Sequence, residues 1–285
     1  MFYVLLSVVC SVLVSVLLKL ARRFDVDVGQ AIAWNYLAAG ALTAIILRPS
    51  LETLHEPGAP WLAMIGLALL LPTIFLALAA SVRHAGIVRS DTAQRLSLLI
   101  SLLAAFLLFG EHLTGIKFAG IALGLVALLC MVWRNDAGGS IDRVSGWRYP
   151  LLVFVGFGVI DILFKRVAQA GVPIGASLQM MFALALPVAF AIQFWQRANG
   201  RMRFTLRNLW AGLLLGLLNF GNILFYLRGH QALPQHPALV FASMNIGVVA
   251  LGALVGTLAF RERLGRINLV GVALALLAIG VIAQG

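Results

Sequence analysis

Residues 107–124, LLFGEHLTGIKFAGIALG, lie over residues 258–275, LAFRERLGRINLVGVALA, at a shift of 151. The overlay pairs Phe109 with Phe260, Glu111 with Glu262, Leu113 with Leu264 and Gly120 with Gly271. Self-similarity at long range marks an internal repeat, and a repeat constrains a fold more than any single motif does. The start of each half matches as well. At a shift of 146, Leu5-Leu6 falls on Leu151-Leu152, Lys19 on Lys165 and Gly29 on Gly175. In between, at 150, Gly66 falls on Gly216 and Phe75 on Phe225, so the shift drifts as small loop insertions make it drift. Leucine identities come easily in such a sequence; the glutamate and lysine pairs carry the inference. The chain reads as a duplication: a first repeat over 1–133, a connecting loop over 134–148 and a second repeat over 149–285.

The medium follows from composition. Of 285 residues, 62% are apolar and 11% charged, and the mean hydropathy is +1.01. Soluble domains run about 45–50% apolar and about 25% charged, so lipid is the solvent for most of this surface. A helix needs roughly 20 mostly apolar residues to cross a bilayer. Ten segments qualify: 2–20, 31–47, 61–82, 91–109, 114–133, 149–169, 175–195, 208–228, 237–260 and 266–283. Trp61, Trp133, Trp147, Tyr149, Trp195 and Trp210 fall at their ends, where amphipathic rings favour the interface. Lys19, Arg22 and Arg23 follow the first apolar run rather than precede it, which reads as a retained helix and not as a signal peptide. Five spans per repeat is an odd number, so the second repeat enters the membrane in the opposite sense. The expected fold is an all-α polytopic membrane protein with ten transmembrane helices in two inverted five-helix repeats, an architecture suited to alternating access.

The net charge of +11 would suggest nucleic acid in a soluble protein. Here the basic residues sit singly or in pairs between apolar segments, as in loops at an anionic leaflet, so membrane lipid is the expected partner and nucleic acid is not. The odd connections carry 16 Lys and Arg and the even ones 5, which places the odd connections in the cytoplasm and both termini outside. Cys10 and Cys130 lie inside apolar segments and offer neither a disulfide framework nor a metal cluster. The sequence has no His-Glu-x-x-His motif and no phosphate-cradling Gly-x-x-x-x-Gly-Lys loop. His55, His84, His112, His230 and His236 lie in or beside connections. A membrane enzyme and an ATP-driven pump are therefore disfavoured, no cofactor is expected, and a secondary carrier or facilitator remains.

These features resemble the drug/metabolite transporter superfamily, in its bacterial ten-helix form built of EamA domains. The resemblance rests on the two five-helix repeats, on Gly110-Glu111 and Arg261-Glu262 closing the fourth helix of each, and on Gly120 and Gly271 in the helix that follows. It implies a basket of helices around a central cavity in the bacterial inner membrane, usually exporting amino acids, other metabolites or drugs. Ile100-Ser101 and Asn245-Ile246-Gly247 stand where many members carry a proline, which leaves the family's kink without its proline. The resemblance also implies both termini in the cytoplasm, against the charge count. Small multidrug exporters similar to this superfamily bind lipophilic cations with a glutamate in the first helix. Here that helix has Ser7, Ser11 and Ser15 but no carboxylate, which favours an anionic or zwitterionic metabolite over a drug.

Charged groups within a spanning helix are costly and mark functional sites by default. Asp161 sits mid-helix with Lys165 four positions on, so the two share a face. They form either an intrahelical ion pair or a coupling site in which Asp161 takes up a proton when substrate reaches Lys165. Lys19 and Lys165 are repeat equivalents, expected near opposite membrane faces, either snorkelling to headgroups or gating a substrate carboxylate. Arg95 is a headgroup anchor or a carboxylate clamp, since its planar fork suits two oxygens. Asn219, Asn222 and Tyr226, spaced by three and four, share a face of the eighth helix. Asn245, Asn35, Tyr36 and Gln179 could join them around a cavity, although buried amides also serve as plain interhelical hydrogen bonds. Glu111 and Glu262 read as structural, capping or bridging a turn. Gly120-x-x-x-Gly124, Gly212-x-x-x-Gly216 and Gly252-x-x-x-Gly256 read as close helix contacts, and Pro72 as a kink.

The reading is an exporter of a small polar metabolite, of the amino-acid or organic-acid class, working by alternating access as a monomer, with proton coupling and facilitated diffusion both open. Its alternatives are a multidrug exporter and a lipid-linked sugar flippase. A topology reporter separates the two orientations. By the charge count, alkaline phosphatase fused to Gly285 is active and green fluorescent protein fused there is dark; the reverse pair of signals supports the orientation of the resembling family.

Overall fold

The computed structural model of the chain describes residues 1–50, 52, 59–109, 114–132, 145–200, 203–233, 237–262, 264–282 and 284. Gly110, Glu111, His112, Trp133, His55, His236, Arg263, Gly285 and most of 134–148 lie outside these residues. Among the described residues every regular element is helical. In chain order they are α1 (Phe2–Leu20), α2 (Val28–Leu42), α3 (Trp61–Ala85), α4 (Ile87–Leu96), α5 (Leu98–Phe109) and α6 (Gly115–Val132), then α7 (Ser145–Gln169), α8 (Ile174–Ala198), α9 (Leu206–Ala232), α10 (Pro237–Leu258) and α11 (Arg266–Ile282). A tight turn, Ala21–Phe24, prolongs α1, and a wider one, Thr43–Leu47, prolongs α2.

Among the described residues, five helices are long and apolar enough to cross a membrane: Phe2–Phe24, Val28–Leu47, Trp61–Ala85, Ile174–Ala198 and Leu206–Ala232. The chemistry of their ends explains their limits. Asp25 closes the first in the left-handed region at φ 48°, which Asp tolerates better than most side chains. Asp27 opens α2 by accepting from the Gln30 N–H at 2.9 Å, meeting one of the donors a helix start leaves over. Trp61, Trp147, Trp195 and Trp210 are exposed, as interfacial rings should be. Pro72 lies inside α3, which runs on through it, and the neighbouring Thr73 hydroxyl donates to the Leu69 and Leu70 carbonyls.

The expected fourth span differs from its prediction in two ways. It starts earlier, at Ile87, and it is interrupted at Ser97. The Ser97 N–H is shared between the Ala93 and Gln94 carbonyls, and its hydroxyl donates to Gln94 O at 2.6 Å. A serine that bonds back to the preceding turn bends a helix without a proline, so the break arises three residues before Ile100-Ser101. The earlier start escaped the hydropathy criterion because α4, IVRSDTAQRL, is largely polar.

The described residues fall into two compact units that draw on both halves of the sequence. The first comprises 1–19, 77–158 and 221–285. In it Val4, Val8 and Val12, one face of α1, pack on Val240, Met244 and Val248, one face of α10. A second cluster joins Leu96, Leu99, Ile121, Phe154, Val249 and Ile279, with α6 and α11 in contact along their length. The second unit comprises 20–76 and 159–220. There α2 packs on α8 and α9, and Tyr36 lies against the rings of Phe75 and Phe182 at 6.4 and 6.2 Å. Lipid offers little hydrophobic drive for helix association, so close packing must supply it. Gly212 and Gly216 do so: a Cβ on Gly216 would stand 2.6 Å from Ala38 Cβ and 2.7 Å from Asn35 O. Overpacking costs about 1–3 kcal/mol. Gly216→Val should therefore lower the melting temperature in detergent by several degrees, whereas Gly280→Ala, which meets nothing within 4 Å, should leave it unchanged.

Candidate functional site

The polar character of α4 is turned inward: Ser90, Asp91 and Thr92 are all buried. Two of these are satisfied locally, because Ser90 and Thr92 donate to the carbonyls four residues back, at 2.7 and 2.8 Å. Asp91 and Arg95 are four apart and so share a face. Ser15 and Ser11 of α1 are also four apart, and the two pairs meet in antiparallel order. The Ser15 hydroxyl donates to Asp91 Oδ1 at 2.6 Å, and Arg95 Nη2 donates to Ser11 Oγ at 2.7 Å. Arg95 Nη1 also reaches Asn245 Oδ1 of α10 at 3.5 Å. One turn further along α1, Ser7 donates to the backbone and side-chain oxygens of Asn222 at 2.9 and 2.8 Å. The three serines thus engage Asn222, Arg95 and Asp91 in turn.

Asp91 was absent from the expected set. It places against the first helix the carboxylate that the first helix itself lacks. Its signal was legible: an Asp-x-x-x-Arg step abutting an apolar run has the spacing of an interior pair. Its Oδ2 is buried with no hydrogen-bond partner, and a Cβ on Gly252 would lie only 2.7 Å from it.

A second charged group lies at the start of α4. Glu262 accepts from the N–H groups of Ile87 at 2.7 Å and Val88 at 3.3 Å, and from Lys19 Nζ at 3.2 Å. Lys19 also donates to the Val82 carbonyl at 3.2 Å. The structural reading of Glu262 thus takes a definite form: it caps a helix 175 residues away in sequence. The ammonium of Lys19 has its partner inside the protein rather than at a headgroup.

The other expected residues lie as follows. In the second unit, Asn219 donates to Asn35 Oδ1 at 3.3 Å. Asn35 Nδ2, Tyr36 Oη and Gln179 Oε1 are buried there without a hydrogen-bond partner. Asp161 and Lys165 are half-buried on α7, and both have interactions within the protein. Tyr226 packs edge-on against His230, with ring centroids 4.7 Å apart. Among the described residues, no three His, Cys, Asp or Glu side chains gather as a metal site would need.

The family model of the EamA-like transporter family matches residues 1–133. An uncharacterized protein of Haemophilus influenzae is 41% identical over 286 residues, covering 98% of this chain and 96% of its own length. The chain belongs to the EamA-like transporter family. This is a family of multi-pass membrane transporters within the drug/metabolite transporter superfamily. An uncharacterized protein of Pseudomonas aeruginosa is 31% identical over 166 residues, covering 58% of this chain and 54% of its own. A solved crystal structure shares the fold at a TM-score of 0.59 and 19% identity, covering 98% of this chain and 95% of that one.

For this EamA-family chain the Lys19–Glu262 pair makes a measurable claim. Glu262→Gln leaves a partly buried ammonium facing a neutral amide and weakens the cap of α4. Neighbouring ionic groups couple by about 0.5–3 kcal/mol, so the double variant Lys19→Met/Glu262→Gln should be more stable than the sum of the single effects predicts. Additive melting shifts would show that the pair does not act as a unit.

Proposed function

We propose that the chain is a secondary transporter of the bacterial inner membrane, exporting a small polar metabolite of the amino-acid or organic-acid class by alternating access. In this reading it has ten spans, in two inverted repeats over 1–133 and 149–285 joined by 134–148, works without a cofactor and functions as a monomer. Support comes from the paired Glu and Lys positions of the repeat, the family match over 1–133 and the helices α4–α5, α6, α7, α10 and α11 along the remaining expected spans.

The observation that carries the substrate class is the setting of Arg95. Its guanidinium has among its partners a hydroxyl and an amide, Ser11 and Asn245. These two are neutral. A carboxylate offers two charge-assisted bonds to the same fork and can displace them. Lys19, Lys165 and Asp161 are assigned to the transport cycle as further charged groups, and Asn219, Asn222 and Tyr226 of α9 as polar lining. A second reading, export of lipophilic cations, is favoured by the buried carboxylate of Asp91.

Flux in proteoliposomes against amino acids, organic acids and lipophilic cations tests both. Carboxylate-bearing solutes should move. A charge-assisted hydrogen bond is worth about 1.5–3 kcal/mol, so Arg95→Lys should weaken apparent affinity by roughly tenfold or more, and Lys165→Ala should slow the flux. Movement of cations alone, or indifference to both substitutions, would make this a drug exporter with its site elsewhere.

A further inference from the structure

The sequence alone points to Asp161 for a proton; the geometry points to Asp91. We propose that Asp91 and Arg95 form a joint site in which Asp91 takes a proton on Oδ2 while Arg95 takes the carboxylate of the solute, so that an organic acid crosses as anion plus proton. The proposal rests on the transporter reading and gives it a stoichiometry and a linkage; export then requires an outward solute gradient that exceeds the inward proton gradient.

Three observations converge on Oδ2. Asp91 is only 2% exposed, its Oδ1 is occupied by the Ser15 hydroxyl, and its Oδ2 has no hydrogen-bond partner. A buried carboxylate with an idle oxygen is far costlier than the neutral acid in the same place. Gly252 faces Oδ2, and a Cβ there would intrude to 2.7 Å, so the close approach of α10 to this oxygen depends on glycine. Hard metal cations gather about six or more oxygens, and among the described residues no three His, Cys, Asp or Glu side chains come together to start such a set.

The surrounding charges make the proton and the anion help one another. Arg95 on the same helix and Glu262 beyond α10 both act on Asp91. Lys19 of α1 is held by Glu262, and Arg89 is held by Asn268 of α11 at 2.9 Å. From α10 come Asn245 and Gly252, which carry no charge, and from α6 the Cys130 carbonyl, which accepts from Asn268. While Asp91 is ionised, its negative charge shares the Arg95 field and repels an arriving carboxylate. Once Asp91 is neutral, its negative charge no longer offsets the Arg95 field that the solute meets. Each ligand raises the affinity for the other by the same factor, which is the linkage of co-transport and not of exchange.

The test uses the full chain in proteoliposomes with trapped pyranine as the reporter of internal pH and the same panel of amino acids and organic acids. Wild-type protein should acidify the interior as a solute enters, beyond protein-free vesicles. A tenfold proton gradient should accumulate that solute about tenfold on the proton-poor side. Asp91→Asn should abolish both effects. Accumulation on the proton-rich side, or coupling intact in Asp91→Asn, overturns the proposal. Infrared titration of the purified chain, which needs no solute, reads the proton directly. A protonated-carboxyl band should vanish on going alkaline in wild type, be missing from Asp91→Asn and be displaced in midpoint by Ser15→Ala, which keeps the carboxylate. A band kept in Asp91→Asn and lost in Asp161→Asn moves the proton to α7 and overturns the assignment. If no panel solute moves, the transporter reading fails and the coupling with it, while the spectrum still decides whether Asp91 holds a proton.

Discussion

The Glu262 carboxylate ties together helix ends of the first unit that lie far apart in sequence. A helix start leaves backbone N–H donors without partners, and in a protein surrounded by lipid no water stands ready to meet them. Glu262 meets two of them at Ile87 and Val88 and grips the Lys19 ammonium, while its own N–H donates to Gly256 O at 2.9 Å. Its negative charge also lies where the positive end of the α4 dipole favours it. The ends of α1, α3 and α10 and the start of α4 are thereby referred to one side chain. With the start of α4 pinned, Asp91 and Arg95 fall one and two turns further on, opposite Ser15 and Ser11.

Such a carboxylate needs room, and glycine provides it. Gly86 stands at φ 93°, a region that favours glycine, and a Cβ there would lie 2.6 Å from Glu262 Oε2. The three small-residue motifs, alike in sequence, do three different things. Gly212 and Gly216 admit the backbone of α2, the packing role such motifs usually serve. Gly120 and Gly124 admit apolar side chains, Ile282 and Leu99. Gly252 and Gly256 face the carboxylates of Asp91 and Glu262. The last pair therefore shapes a polar site within α10, a role that spacing alone cannot distinguish from packing.

Helical class, membrane character and family were legible because hydropathy and residue pattern are statistical properties of many residues. Arg95, Asn245 and Lys19 were legible as single charges or amides in apolar surroundings, where any polar atom must find a partner. What escaped was partnership. Glu262 looked local, since its neighbours in sequence are a turn, yet its partners lie in α1 and α4. Asp91 sits at the edge of a hydropathy window, where polar residues ordinarily mean a loop, and so its burial was hidden. The bend at Ser97 was hidden for a related reason: the residue type associated with kinks is proline, and a serine acting through Gln94 O leaves no such mark.

The division between α4 and α5 then has a physical sense. Polar side chains facing hydrocarbon are prohibitive, so a polar helix in a membrane protein has to be enclosed by protein or meet water. Here α4 is enclosed by α1, α10, α6 and α11, with Asp91 and Arg95 against α1 and Arg89 against Asn268. The α5 stretch, LLISLLAAFLLF, carries almost no polarity and makes no such demand. A single straight helix would carry both halves in one register. The shared hydrogen bond at Ser97 lets the polar half take its alignment from its ionic partners and the apolar half from its packing, so the polar row along α1 can be satisfied without compromise by either.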